Sequence, residues 1–190
     1  LLEPNTPYGK TKLTIENILR DLFNSDKKNW RIVNFRYFNP VGAHPSGLIG
    51  ENLQGEVSNL FPSIIKTIKG EQKSLSVFGN DWPTKDGTCI RDYIHITDLA
   101  KGHIKALEFL KKRASTNLSI NLGTGKGTSV LELIRAFEKT NQIKLNFTFS
   151  KRREGDAPKV VADNNLAKEI LNWVPEKSIS EMCKDGWNWK

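Results

Sequence analysis

Tyr8 and Lys12 stand four residues apart in Pro7-Tyr-Gly-Lys-Thr-Lys12. On a helix that spacing places a phenol and an ammonium on one face. A neighbouring cation favours phenolate over phenol, and each unit of pKa lowering corresponds to about 1.36 kcal/mol. The pair is therefore a candidate general base for a substrate alcohol, drawn from a group that ordinarily titrates near ~10. Completing the oxidation of an alcohol needs a hydride acceptor, which side chains lack and a nicotinamide supplies. Tyr and Lys also fall four apart by chance in many helices. Pro7 and Gly9 at a helix entry, with a strand downstream at the right distance, add context; Lys10, two residues from Tyr8, points elsewhere. Seven residues precede Tyr8 and none is a glycine, so this stretch carries a base without a glycine-rich loop for its cofactor.

The elements that must position this pair read from periodicity. Residues 8–23 predict an amphipathic helix with Leu13, Ile15, Ile18, Leu19 and Leu22 on its apolar stripe. A polar connection from Asn24 to Asn29 leads to a strand over 31–38, and helix then strand is half of a βαβ unit. After Asn39-Pro40, Gly42, Pro45, Gly47, Gly50 and Gly55 mark a long loop of the kind that carries function. Further helices are expected near 57–69, 97–112, 128–140, 163–171 and 178–189, the last opened by the capping box Ser178-x-x-Glu181. Short strands are expected near 74–78, 90–96, 117–122 and 145–149. The fold class is α/β.

Several constellations downstream have both a chemical and a plain reading. Gly123-Thr-Gly125-Lys-Gly127 follows a strand and opens a helix, imitating a dinucleotide fingerprint. It has Thr128 where G-x-G-x-x-G needs glycine, and the strand at 145–149 ends in Ser150-Lys151 rather than an acid, so a tight turn is the better reading. Arg152-Arg-Glu-Gly-Asp156 is either a solvated charge run or a site where guanidinium meets phosphate and aspartate meets ribose. Arg91 alternates with apolar neighbours and is placed on one strand face with Tyr93 and His95. Half-buried, it needs an anion, which a diphosphate or an internal carboxylate provides. His95 reads as a satisfied structural histidine.

Composition narrows the class. Hydrophobic residues at 37% and charged residues at 26% suit a soluble globular protein. No run of about 18 apolar residues and no signal-type segment supports membrane insertion or secretion. Cys89 and Cys183 lie far apart without metal-ligand spacing and read as reduced thiols of a cytoplasmic protein. The net charge of +8 is spread along the chain without aromatic interleaving or a nucleic-acid motif, which argues against nucleic acid; a basic balance also suits a diphosphate-bearing substrate, and charge alone does not choose.

Taken in order, a set of motifs resembles one family. They are Tyr8-Gly-Lys-Thr-Lys12, Arg36-Tyr-Phe-Asn-Pro-Val-Gly-Ala-His-Pro-Ser-Gly47, Phe78-Gly-Asn-Asp81, Gly87-Thr88, Arg91-Asp-Tyr-Ile-His95, Asp98-Leu99, Asn121-Leu-Gly-Thr-Gly125 and Arg152-Arg-Glu-Gly-Asp156. Together they look like the UDP-glucose 4-epimerases, extended short-chain dehydrogenase/reductases. The resemblance runs over nearly the whole chain. It implies that the family's amino-terminal half, with the glycine-rich NAD loop and a Ser/Thr that assists the tyrosine, lies outside this sequence, and that the chain stops slightly short of the family's usual end.

The resemblance implies the last part of a Rossmann-type doubly wound domain plus a smaller mixed α/β substrate domain. Residues 1–40 would be the Rossmann remnant and 41–190 the UDP-sugar domain, with about 90–125 the stretch that could return to the Rossmann sheet. It implies NAD-dependent epimerisation at the sugar C4 through a 4-keto intermediate in galactose metabolism. Tyr8 would take the 4′-hydroxyl proton while Lys12 holds its pKa down and contacts the nicotinamide ribose, and Phe38 would lie against the nicotinamide. Asn39, Asn59, Leu60, Ser76, Val77 and Phe78 match positions holding sugar and uridine. Arg91 and Arg153 match diphosphate ligands, and Asp156 a ribose ligand. Val160 matches a gatekeeper that is tyrosine in members restricted to plain hexoses, so N-acetylated sugars are expected substrates too. A homodimer is expected of the complete protein, and inactivity of these 190 residues alone. The alternative is a UDP-sugar-binding module without catalysis.

Overall fold

The computed structural model describes residue 4, residues 6–51 and residues 59–189. Helix α1 (Pro7–Ser25) begins where Thr6 caps it, its hydroxyl accepting from the Gly9 N–H at 3.1 Å, with Pro7 in the first turn. Strand β1 (Arg31–Tyr37) follows. It lies parallel to β6 (Thr116–Leu122) in a register running from Arg31 opposite Thr116 to Tyr37 opposite Leu122.

Alternation along β1 sorts its two faces. Val33 and Phe35 pack with Ile120, Leu122 and residues of α3 (Ile96–Lys111). Arg36 turns the other way and forks onto Glu16 of α1, with Nε and Nη2 donating to its two carboxylate oxygens at 2.7 and 2.5 Å. Ser119 of β6 donates to the same carboxylate at 3.3 Å. The helix of Tyr8 and Lys12 is thus tied to both strands by one ion-paired carboxylate. None of α1 is buried, and Ile15 and Ile18 remain exposed.

At residue 38 the chain changes sheets. The Phe38 N–H donates to Leu122, whereas the Asn39 N–H donates to the Asp92 carbonyl. A short strand that periodicity did not announce, β2 (Asn39–Val41), then runs parallel to β5 (Tyr93–His95). The expected glycine-punctuated loop follows from Gly42 to Glu51, while Gly55 and the start of the 57–69 helix lie outside the described residues. Helix α2 (Leu60–Ile68) leads to β3 (Leu75–Phe78), which pairs in parallel with β8 (Phe147–Ser150).

The strand expected over 90–96 is two pieces in different sheets. β4 (Ile90–Arg91) sits between β7 (Thr128–Ser129), antiparallel, and β9 (Lys159–Val160), parallel, whereas β5 joins β2. Arg91 therefore does not share a strand face with Tyr93 and His95. The break falls at Asp92, whose side chain is fully occupied by three backbone N–H groups and a hydroxyl elsewhere, as described below. Helices α4 (Val130–Asn141), α5 (Asn165–Leu171) and α6 (Ile179–Asn188) complete the chain. The Ser178–Glu181 capping box forms, and Ser129–Glu132 makes a second that sets the start of α4.

Two apolar clusters hold these layers. One gathers Phe61, Ile64, Leu75, Val77, Leu133, Ile134, Phe137 and Met182 between α2, β3, α4 and α6; the other gathers Ile94, Leu99, Ile120, Leu122, Leu171 and Trp173 around β6 and α3.

Candidate functional site

A cavity of about 1030 Å³ opens where several parallel strands end. In α/β folds that crevice outside the carboxyl ends of strands is the usual ligand site. Phe38 follows β1, Phe78 ends β3, and Ile96 and Thr97 follow β5; all face this cavity. The Gly42–Glu51 loop contributes His44, Ile49 and Glu51. It is pinned to the far end of α6, where the Trp189 indole N–H donates to the Glu51 carbonyl at 3.2 Å.

Most of the residues singled out by sequence converge here. Phe38, Asn39, Asn59, Leu60, Ser76, Val77, Phe78, Arg91, Arg153 and Asp156 all line the cavity. Val77 does so from the core, with its side chain buried. Three positions stand apart from the lining. Val160 is 41% exposed beside Arg91's strand, and Tyr8 and Lys12 lie on α1. Tyr8 is 72% exposed, with the Lys12 Nζ 5.0 Å from its ring centroid, so the pair shares one helix face as its spacing requires. The loop carrying Arg153 and Asp156 reaches α1: a Cβ on Gly155 would stand 3.2 Å from the Thr6 methyl, two residues from Tyr8.

Arg91 is held from three sides. Its Nη1 donates to the carbonyls of Ile90 at 2.9 Å and Ala157 at 2.8 Å, and its Nη2 to Asp156 Oδ1 at 3.2 Å. Of the two anions its half-burial called for, the internal carboxylate is the one beside it. Arg153 lies with its guanidinium carbon 3.8 Å from the Phe78 ring centroid, and Arg152 stacks on Trp82 at 4.0 Å while pairing with Asp81. The basic run is thus split: Arg153 and Asp156 face the cavity, whereas Arg152 braces the Asp81–Trp82 turn.

Asp92 explains the glycine loop. Its Oδ1 accepts from the Thr124 N–H at 2.8 Å and hydroxyl at 2.5 Å, and its Oδ2 from the N–H groups of Gly125 at 2.8 Å and Ala162 at 3.1 Å. Successive N–H groups of this kind make an anion nest. Here the anion is the protein's own carboxylate, and Gly125 takes the left-handed φ of 72° that the nest requires. The loop is a turn, not a dinucleotide cradle.

His95 is buried and structural. Its Nδ1 accepts from the Thr97 N–H at 3.0 Å, capping α3, so Nε2 carries the proton toward Asp185 at 3.2 Å. Burial holds its pKa below the ordinary value despite that carboxylate. Cys89, Gln72 and Tyr93 also line the cavity, and sequence reading assigned none of the three to a site. Cys89 read only as a reduced thiol without metal-ligand spacing, and Tyr93 was assigned to a strand face that does not exist. Burial pushes both groups' pKa values up, so neither is primed as a base or nucleophile.

The model of the NAD dependent epimerase/dehydratase family matches residues 1–123, well over half of the chain. The chain belongs to the NAD dependent epimerase/dehydratase family. It is 53% identical to the UDP-glucose 4-epimerase of Drosophila melanogaster over 97% of this chain and 53% of that protein. It superposes with TM-score 0.93 on the UDP-glucose 4-epimerase of Stenotrophomonas maltophila, solved with bound NAD and formylated UDP-arabinopyranose, at 47% identity over 97% of this chain and 54% of that one. The Bifidobacterium longum enzyme, solved with NAD+ and UDP, gives 0.92 at 44% identity, over 98% and 55%. The chain spans about half the length of the curated relatives it matches. Its fold is the α/β, Rossmann-type fold of these structures.

The residues present fit one end of a nicotinamide cofactor. The exposed Tyr8 phenol with Lys12 above its ring, and Phe38 at the cavity's edge, are suited to a ribose and a flat ring. The glycine nest is filled by Asp92, so a dinucleotide's phosphates find no cradle there.

Proposed function

We propose that this chain is the portion of a NAD-dependent UDP-glucose 4-epimerase that carries the base and the UDP-sugar pocket. The observation that carries this reading is the convergence of Arg91, Arg153 and Asp156 with Asn39, Asn59 and Phe78 on one cavity. At about 1030 Å³ the cavity stands at the upper end of the ~300–1,000 Å³ usual for small-molecule sites, which leaves room for a sugar to turn over.

Bound NAD would take a hydride from the sugar C4 and return it to the opposite face. Tyr8, as phenolate, removes the 4′-hydroxyl proton and gives it back after the 4-keto sugar has turned. Lys12 favours the phenolate by charge and reaches the nicotinamide ribose. Phe38 supplies the flat wall for the nicotinamide. Arg91 and Arg153 hold the diphosphate through charge-assisted bonds, and Asp156 accepts from the uridine ribose hydroxyls. Asn39, Asn59, Leu60, Ser76, Val77 and Phe78 surround sugar and uridine. Val160 stands at the position that the resemblance makes a gatekeeper, tyrosine in members restricted to plain hexoses, so UDP-N-acetylglucosamine is a substrate of the complete enzyme as well as the plain UDP-hexoses of galactose metabolism. The complete protein is cytoplasmic and homodimeric in this reading.

Activity with UDP-galactose tests it. The complete protein should epimerise the sugar, Tyr8→Phe should abolish turnover while UDP still binds, and Val160→Tyr should remove activity on the N-acetylated sugar alone. The 190 residues by themselves should bind UDP without turnover. Epimerisation by the 190-residue chain with added NAD+ would refute that last point, and full activity of Tyr8→Phe would refute the role of the base.

A further inference from the structure

We propose that Asp156 is a specificity-determining residue that makes the arginine pocket reject bare anions and accept a diphosphate only when it carries a ribose. The inference rests on the UDP-sugar reading of the same cavity and adds to Asp156 a role that a ribose contact alone does not contain.

The argument starts from the guanidinium of Arg91. It has five N–H donors. Three are engaged: two with the carbonyls of Ile90 and Ala157, and one with Asp156. Two remain for a ligand, so a phosphate oxygen can approach without displacing Asp156. The arginine is held in place before any ligand arrives, with its side chain only 14% exposed.

The carboxylate that holds it also changes what it attracts. Arg91 and Asp156 form a neutral pair, and the rest of the lining adds one carboxylate, Glu51, and one guanidinium, Arg153, so the cavity offers an anion no net positive charge. A pyrophosphate ion offers only acceptors. Near Arg91 it meets Asp156 as a like charge at contact range, which screening weakens but does not abolish in a recessed site. A nucleoside diphosphate brings hydroxyl donors for the same carboxylate. Asp156 is 31% exposed at its side chain, enough to receive them while still bonded to Arg91. Repulsion of the diphosphate is then offset by hydrogen bonds from the ribose, and only a ligand with both parts is favoured. Discrimination of this kind uses a repulsive element against the competitor as well as an attractive one for the substrate.

Asp156→Asn isolates the charge. The amide oxygen still accepts from Arg91 Nη2, and the two carbonyls still hold Nη1, so the arginine keeps its place. Calorimetric titration of the 190-residue chain with pyrophosphate, UDP and uridine gives the readout. Asp156→Asn should tighten pyrophosphate and weaken uridine, lowering the ratio of pyrophosphate to UDP dissociation constants by about tenfold. Asp156→Glu, which keeps the charge, should hold a ratio near that of the unaltered chain. Loss of uridine binding with pyrophosphate affinity unchanged would leave Asp156 a ribose ligand only and overturn the inference while sparing the UDP-sugar reading. Failure of the unaltered chain to bind UDP would overturn both.

Discussion

Replacing Asp92 by asparagine should cost this fold a large share of its stability. The carboxylate accepts four hydrogen bonds, two at each oxygen, while wholly buried. Asparagine has one acceptor oxygen and one NH2 donor. The cheaper orientation puts the NH2 where Oδ1 was, because the Thr124 hydroxyl can rotate to accept. The Thr124 N–H is then left facing another donor, and an unsatisfied buried donor costs about 1–3 kcal/mol. The bonds from Gly125 and Ala162 persist but lose their charge assistance, and charge-assisted bonds are about twice as strong as neutral ones. Relief from burying a charge returns part of this, so the net loss is about 2–4 kcal/mol, out of the ~5–15 kcal/mol typical of a domain. With an m-value of about 2 kcal/mol/M, the urea midpoint at neutral pH should fall by roughly 1–2 M at unchanged slope. Asp92→Ala, which leaves the N–H groups of Thr124, Gly125 and Ala162 without a partner and the Thr124 hydroxyl only the Lys126 carbonyl, should fall further. A midpoint shift for Asp92→Asn within about 0.2 M, or an asparagine variant weaker than the alanine one, would show that the nest does not depend on its anion.

Two further outcomes follow from the same geometry. Glu16→Gln should destabilise by about 1–2 kcal/mol, since it removes a forked ion pair that is partly buried. The hydrogen bond from Arg36 holds the Glu16 pKa below its ordinary 4.5, so the pair's contribution is complete above that value and is lost as pH falls through the lower folded one; urea midpoints of the two proteins should converge in acid. Neither thiol should react with a soluble disulfide reagent at pH 8 while the chain is folded, because both are buried, with Cys183 pushed up to about 12; both should react in denaturant. A fast-reacting thiol in the native state would contradict the packing of α6 or of the cavity wall.

Sequence reading went furthest where a single period or a fixed chemistry sets the structure. Helix α1, strand β1 and the Ser178–Glu181 box follow from local pattern, and the structure places them within two residues of expectation. It went less far where partners are remote in sequence. Strands β2, β7 and β9 are two or three residues long and exist because β5 and β4 lie beside them, which no periodicity over so short a stretch can signal. The break at Asp92 is the same kind of fact: an alternating run looks continuous until its central carboxylate is drawn into a nest 32 residues downstream.

The same distinction applies to the pocket. Arg91, Arg153 and Asp156 were legible as ligand-binding types, because guanidinium and carboxylate suit diphosphate and ribose wherever they occur. That Arg91 and Asp156 face each other across 65 residues was not legible, and it alters what each can do. An arginine already paired attracts an anion less than a lone one, and an aspartate beside it is more readily satisfied by a hydroxyl than by a second cation. Residue types therefore announce the ligand's parts, whereas the pairing decides whether those parts must arrive together. On the reading proposed above, the cavity demands a ligand whose charge and hydroxyls are covalently joined, and that demand is made by Asp156, at a loop that also approaches the cap of the Tyr8 helix.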